Sequence, residues 1–209
     1  MKRFQSSLIV ASYLVLVVVG CTKKEAELPL TEKLSPRAEF NSEPTGDHVS
    51  RTNNDSLQTE QATDISRVQA DVRKDLRAMF SGDVDTALAY LYPKLIELLG
   101  GSAKVRNSLQ KQLAEFQNSQ ITMESLTFPE APTFLKSATH QFAIVPTKYI
   151  LTMKGMRMEN MSYLIAVRDI GSVGWTFVDT SANDIQRIRK VLPDFPEDYK
   201  IPRSSRRRL

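Results

Sequence analysis

From Asp64 to Asn118 apolar residues recur at every third or fourth position; beyond Asn118 they recur at every second. That change of period constrains the fold more than any other feature. A helix sets i, i+3, i+4 and i+7 on one face, whereas a strand sends neighbours to opposite faces. Helices first and antiparallel strands afterwards predict an α+β domain. The first helix is expected from Asp64, capped by Thr63 or Asp64, with Ile65, Val68, Val72, Leu76, Met79 and Phe80 on its buried stripe. Ser81-Gly82 ends it, and Asp83 caps a second helix carrying Val84, Ala87, Leu88 and Leu91. Pro93 suits the first turn of a third helix, which Gly100-Gly101 stops. Ser102 is expected to cap a fourth, with Val105, Leu109, Leu113 and Phe116 on one stripe.

In the strand region, His140, Phe142, Ile144, Pro146, Lys148 and Ile150 share one face and Ala143, Val145, Tyr149 and Leu151 the other. Lys154-Gly155 is a hairpin turn into a partner strand over Arg157 to Arg168. Trp175, Phe177 and Val178 belong to a further strand after the turn at Gly171 to Gly174. Pro146 cannot donate to a ladder, which predicts an edge or a bulge there. A last helix carries Ile185, Ile188, Val191 and Leu192 and ends at Pro193 and Pro196.

The N-terminus reads as an address. Lys2 and Arg3 precede an apolar run from Leu8 to Val19, 12 residues long. As a helix it would cover roughly 18 Å, short of the ~30 Å hydrocarbon core, so a signal peptide explains it better than a membrane span. Val18-Val19-Gly20-Cys21 resembles a bacterial lipobox: an aliphatic residue at −3, a small residue before the cut, then the cysteine. The resemblance implies residues 1–20 as a cleaved leader, with Gly20-Cys21 as the cleavage site and the Cys21 thiol carrying a diacylglyceryl group. Two or three acyl chains on one residue hold a protein stably at a membrane. Thr22 follows where aspartate would retain a lipoprotein at the inner membrane. This places the chain in the bacterial cell envelope, at the outer membrane's periplasmic face where the cell has one.

Residues 21–63 read as a flexible tether. Of positions 22–63 only six of 42 are Leu, Ile, Val or Phe, too little apolar surface to offset the entropy of ordering. Residues 64–200 are the folded domain, and residues 201–209, with Arg203, Arg206, Arg207 and Arg208, read as a disordered basic tail. The net charge of +4 sits at the two ends: positions 64–200 hold 17 basic and 16 acidic residues. A nearly neutral body argues against nucleic acid as a partner. One cysteine and two histidines exclude a disulfide framework and a cysteine-rich or multi-histidine metal centre, and no cofactor is expected.

Gly82-Asp83-Val84-Asp85-Thr86-Ala87-Leu88, then Tyr92-Pro93, then long strands closing on Gly174-Trp175-Thr176-Phe177-Val178-Asp179 resemble the NTF2-like superfamily over roughly Asp64 to Pro193. The resemblance implies helices held in a curved antiparallel sheet, a cystatin-like cone, with the C-terminal helix as a departure at its mouth. Enzymatic relatives, such as ketosteroid isomerases and scytalone dehydratases, place carboxylates, tyrosines or histidines in an apolar pocket, where desolvation tunes their proton affinity. The pocket candidates here are Tyr92, His140, Tyr163, Trp175 and Asp179. Asp179 either points inward with Trp175 and Phe177 or caps the turn to the last helix with Ser181 and Asn183. His140 either joins Phe142 and Ile144 or lies exposed at its strand end, and the tyrosines either donate to a ligand or fill the core. Trp175 is expected inside, against Val105, Leu109 and Leu113.

No Gly-x-Ser-x-Gly elbow or phosphate loop is present. The expected function is therefore a non-catalytic, membrane-anchored envelope lipoprotein that binds a small apolar ligand or an envelope protein. A pocket isomerase, dehydratase or hydrolase, or a structural assembly module, are the alternatives. An inward carboxyl in an apolar cavity favours pocket chemistry, and a filled core favours the structural module.

Overall fold

Four helices precede the first strand: α1 (Arg51–Ser81), α2 (Val84–Tyr90), α3 (Pro93–Leu98) and α4 (Ser102–Asn118). Then come β1 (Ile121–Thr127), β2 (Thr133–Lys136), β3 (His140–Met153), β4 (Met156–Asp169) and β5 (Thr176–Asp179). The chain ends with α5 (Ile185–Val191) and β6 (Ser205–Arg208). This computed structural model describes residues 51–180 and 185–209; the leader, Gly20, Cys21, tether positions 21–50, Ser181 and Asn183 lie outside the described residues. The fold is mixed helix and antiparallel sheet, the α+β class expected. Among the described residues no helix is long and apolar enough to cross a membrane.

Local chemistry explains most boundaries. The Asp83 carboxylate accepts from Thr86 N (3.1 Å) and Thr86 Oγ1 (2.7 Å), capping α2. Pro93 occupies the first turn of α3. Gly101 (φ 91°), not Ser102, is the N-cap of α4, with Ser102 its first helical residue. The start of α1 also corrects the reading. The helix begins at Arg51, so positions 51–63 are not tether, although Glu60 to Thr63 are exposed and burial is seen from Asp64 onward. An established helix propagates through polar residues at little cost, and such residues leave no apolar stripe to read. Nor does Asp64 cap: buried on α1, it receives both Arg168 guanidinium nitrogens (3.0 and 2.5 Å).

The sheet is built on the β3–β4 hairpin, closed by Lys154 and Gly155 at φ 49° and 79°. Both positive angles match the twist of a two-residue hairpin turn. β2 and β1 share the outer edge of β3, ending at Thr133↔Ile144 and Thr127↔Lys148. Pro146 falls in the gap between them, where β3 has no outer partner and a missing N–H costs nothing. On the far side β5 pairs with Val167 to Leu164 of β4, leaving its first half open. β6 fills that space, pairing Arg206 with Asn160 and Arg207 with Glu159. The C-terminal arginines are thus a strand rather than a disordered tail. Glu159, bridged by Lys148 (2.9 Å) and Arg207 (2.8 Å), and Asn160, which accepts from Arg206 Nε (2.8 Å), hold it.

Both sheet faces are covered. Phe142, Ile144, Ile165, Val167 and Val178 join Leu91, Leu95, Val105 and Leu109, together with Ile188, Val191, Leu192 and Phe195. Ala143, Val145, Leu164, Ala166, Trp175 and Phe177 meet Val68 and Val72 of α1. Trp175, 2% exposed, is inside as expected, but it packs on α1 rather than on the α4 stripe. Alternation fixes the face of a residue and not the helix that crosses that face.

Candidate functional site

The face of the sheet under α1 carries, across the paired strands, Thr147 opposite Ser162, Tyr149 opposite Asn160, and Val145–Leu164–Asp179 in one row. Thr147 and Ser162 form part of the floor of a space beneath the helix. The space is a cavity of about 70 Å³. Leu76, Met79 and Phe80 of α1, Tyr90, Leu91, Phe116 and Phe177 make it largely apolar and aromatic. It is smaller than the ~300–1,000 Å³ of drug-sized ligand sites and holds about two waters' worth of space.

Two carboxyls face this space, Asp75 from α1 and Asp179 from the end of β5. Asp75 is 7% exposed, and no hydrogen bond or ion pair from the described residues reaches it. Burial, and secondarily the charge of Asp179, pushes the Asp75 carboxyl up to about 7. An acid is thereby held half-ionised at neutral pH, inside an apolar wall. Of the four hydroxyls that line the cavity with it, those of Tyr90 and Thr147 are engaged. Tyr90 donates its hydroxyl to Asp71 Oδ1 (3.1 Å), and Thr147 donates to the Ser162 carbonyl (3.1 Å). Burial and the Asp71 carboxylate push the Tyr90 phenol up to about 12; burial and Asp179 do the same to Tyr149, against the opposing charge of Arg206. Both phenols therefore stay protonated.

The candidates expected from the sequence separate. Asp179 is among the residues that line the cavity, while Ser181 and Asn183, the partners of its capping reading, lie outside the described residues. Trp175 lies beyond the cavity in the core, with Phe134 6.2 Å away and the Arg168 guanidinium 4.3 Å over its ring. Tyr92 and His140 meet on the opposite face of the sheet. The Tyr92 hydroxyl is 3.4 Å from His140 Nε2, and His140 Nδ1 is 2.6 Å from Asp194 Oδ2. Ser137 (2.6 Å) and Thr139 (2.8 Å) donate to the same oxygen. Burial works to raise Asp194, but the bonds from Ser137, His140 and Thr139 hold it at about 2. This cluster pins the segment after α5 to the β2–β3 turn. Tyr163 is half-buried on that face as well, so neither tyrosine nor the histidine belongs to the cavity.

Asp75, Tyr90, Thr147, Tyr149 and Ser162 escaped the sequence reading. Asp75 had a signal: it stands in phase with Val68, Val72 and Met79, an acid on the buried stripe of an amphipathic helix. Among the described residues no group of three His, Cys, Asp or Glu side chains is placed to hold a metal ion. No protein-family model matches the chain, and neither the curated proteins nor the solved structures include a match.

Proposed function

We propose that this chain is a lipoprotein of the bacterial cell envelope, held at the membrane through Cys21, whose domain is a small-ligand binding module of the NTF2-like type. The observation that carries the binding role is the cavity with its unpartnered carboxyl. The Asp75 carboxyl lines the cavity with no hydrogen bond from the described residues, so it is open to a bound ligand. The cavity between helices and one sheet face, the two 14-residue strands of the central hairpin, and the irregularity in β1 between Met123 and Ser125 support the cone reading. A space beneath the helices weighs against a purely structural module.

The alternative, acid–base catalysis in the pocket, is favoured by one observation: Asp75 exchanges its proton near neutrality beside a second carboxyl, as a general acid or base must. Binding is the simpler reading, since the site presents no nucleophile with its base. Ligand-observed NMR against the full chain in detergent, with small fragments of positive, neutral and negative charge, tests it. The reading expects at least one fragment to bind in the wild type and to be lost when Ser162→Phe fills the cavity. Absence of any such fragment overturns it.

A further inference from the structure

After Pro193 and Pro196 the chain returns to α5, and Arg189 of that helix holds it there: its Nη2 donates to the Glu197 carbonyl (2.6 Å). The Tyr199 ring is braced at right angles by Phe195, 6.1 Å away. Between α5 and the returning segment lies a pocket of about 300 Å³, at the lower end of the ~300–1,000 Å³ of small-molecule sites. One part of its wall is apolar, made by Ile185, Ile188, Tyr199 and Ile201. The rest is basic. Arg189, half-buried, and Lys200 and Arg203, both exposed, line it against one carboxylate, Glu197, an excess of two positive charges. Arg106, Arg157, Arg168 and Arg207 each hold a carboxylate elsewhere on the protein, but none from the described residues is paired with these three cations. The Arg189 Nε is buried with no acceptor from the described residues. The helix dipole favours a cation in the last turn of α5, which accounts for Arg189 or Lys190 but not for Lys200 and Arg203 gathered at the same pocket.

We propose that this pocket binds an organic phosphate monoester, its phosphate oxygens accepting from Arg189, Lys200 and Arg203 and its organic group lying against the isoleucines and Tyr199. A phosphate monoester carries about −1.5 to −2 at neutral pH and accepts through three oxygens, which matches both the charge excess and the number of cations. A carboxylate would answer only half of that excess. No residue of this pocket lines the cavity under α1, so the site stands independently of the reading proposed for that cavity.

The probes are phenyl phosphate, inorganic phosphate and benzyl alcohol, titrated into the full chain in nonionic detergent and followed by NMR at the backbone amides and at the Arg189 Nε–H. Phenyl phosphate should shift Ile188, Arg189, Lys200 and Ile201 together with that Nε–H. It should bind about tenfold more tightly than inorganic phosphate, which lacks the apolar group, and than benzyl alcohol, which lacks the charge. Lys200→Gln combined with Arg203→Gln changes only exposed side chains, so the fold should stand while phenyl phosphate binding weakens about tenfold or more. Short-chain phosphatidic acid mixed into the micelles separates the two sources of such a group: displacement of phenyl phosphate assigns the pocket to a lipid headgroup, and no displacement assigns it to a soluble ester. Benzyl alcohol binding as tightly as phenyl phosphate, an affinity that the double substitution leaves unchanged, or shifts that avoid Arg189 and Lys200 would each overturn the proposal without touching the cavity under α1.

Discussion

Asp75→Asn isolates the electrostatic character of the cavity, because the substitution removes a charge while keeping the shape. The folded carboxyl titrates near 7 against 3.8 for the unconstrained group, a difference of about 3 units, each equivalent to about 1.4 kcal/mol. The folded state therefore binds the proton more tightly than the unfolded chain. Its stabilisation is fully present below pH 3.8 and is lost as pH rises through 7. Between pH 5 and pH 8 the wild type should lose about 3 kcal/mol relative to Asp75→Asn, at a slope of about 1.4 kcal/mol per pH unit that falls by half near pH 7 and flattens above it. A buried asparagine amide imposes its own cost, but that cost does not vary with pH, so the slope is the diagnostic. Urea unfolding of both proteins at pH 5, 6, 7 and 8, followed by circular dichroism, measures it. Parallel stability curves for the two proteins over that range would refute the reasoning, placing Asp75 in contact with bulk water.

Trp175→Ala should destabilise the domain by about 3–5 kcal/mol, the cost of emptying a large core site, whereas Trp175→Phe should be tolerated; a denaturation midpoint within error of wild type for the alanine variant would contradict the packing against Val68 and Val72. A chain beginning at Thr63 should melt within a few degrees of the longer one, since Glu60 to Thr63 are exposed and Asp64 is buried; loss of cooperativity in calorimetry would count against this. Wild-type cells fed a clickable fatty acid should label the protein, and Cys21→Ser should abolish both the label and membrane partition; an unlabelled wild type ends the lipoprotein reading.

The sequence was most legible where one physical signal acted alone. The α4 stripe of Val105, Leu109 and Leu113 is buried as its spacing predicts, and the β3 residues divide between the two faces as their alternation requires. Asp83, Pro93 and Gly155 mark their cap, helix start and turn because each satisfies a local backbone demand. What long-range geometry decides was not legible. The meeting of Tyr92 with His140 spans 48 positions, and the pairing of the C-terminal arginines with β4 depends on how short β5 turns out to be. The choice of α1 over α4 as the partner of Trp175 depends on how the helices cross the sheet. Asp75 was half legible: its phase on the α1 stripe is in the sequence, but an acid on a helix ordinarily faces solvent, and its burial depends on the sheet and helices that meet around the cavity.

The central claim is that the cavity under α1, and not the His140 cluster on the opposite face, is where this protein binds. Mapping the amide shifts caused by the tightest-binding small fragment tests it most directly. The account predicts shifts concentrated at Asp75, Tyr90, Thr147, Tyr149, Ser162 and Asp179. Shifts concentrated instead at Tyr92, Ser137, His140 and Asp194 would contradict it.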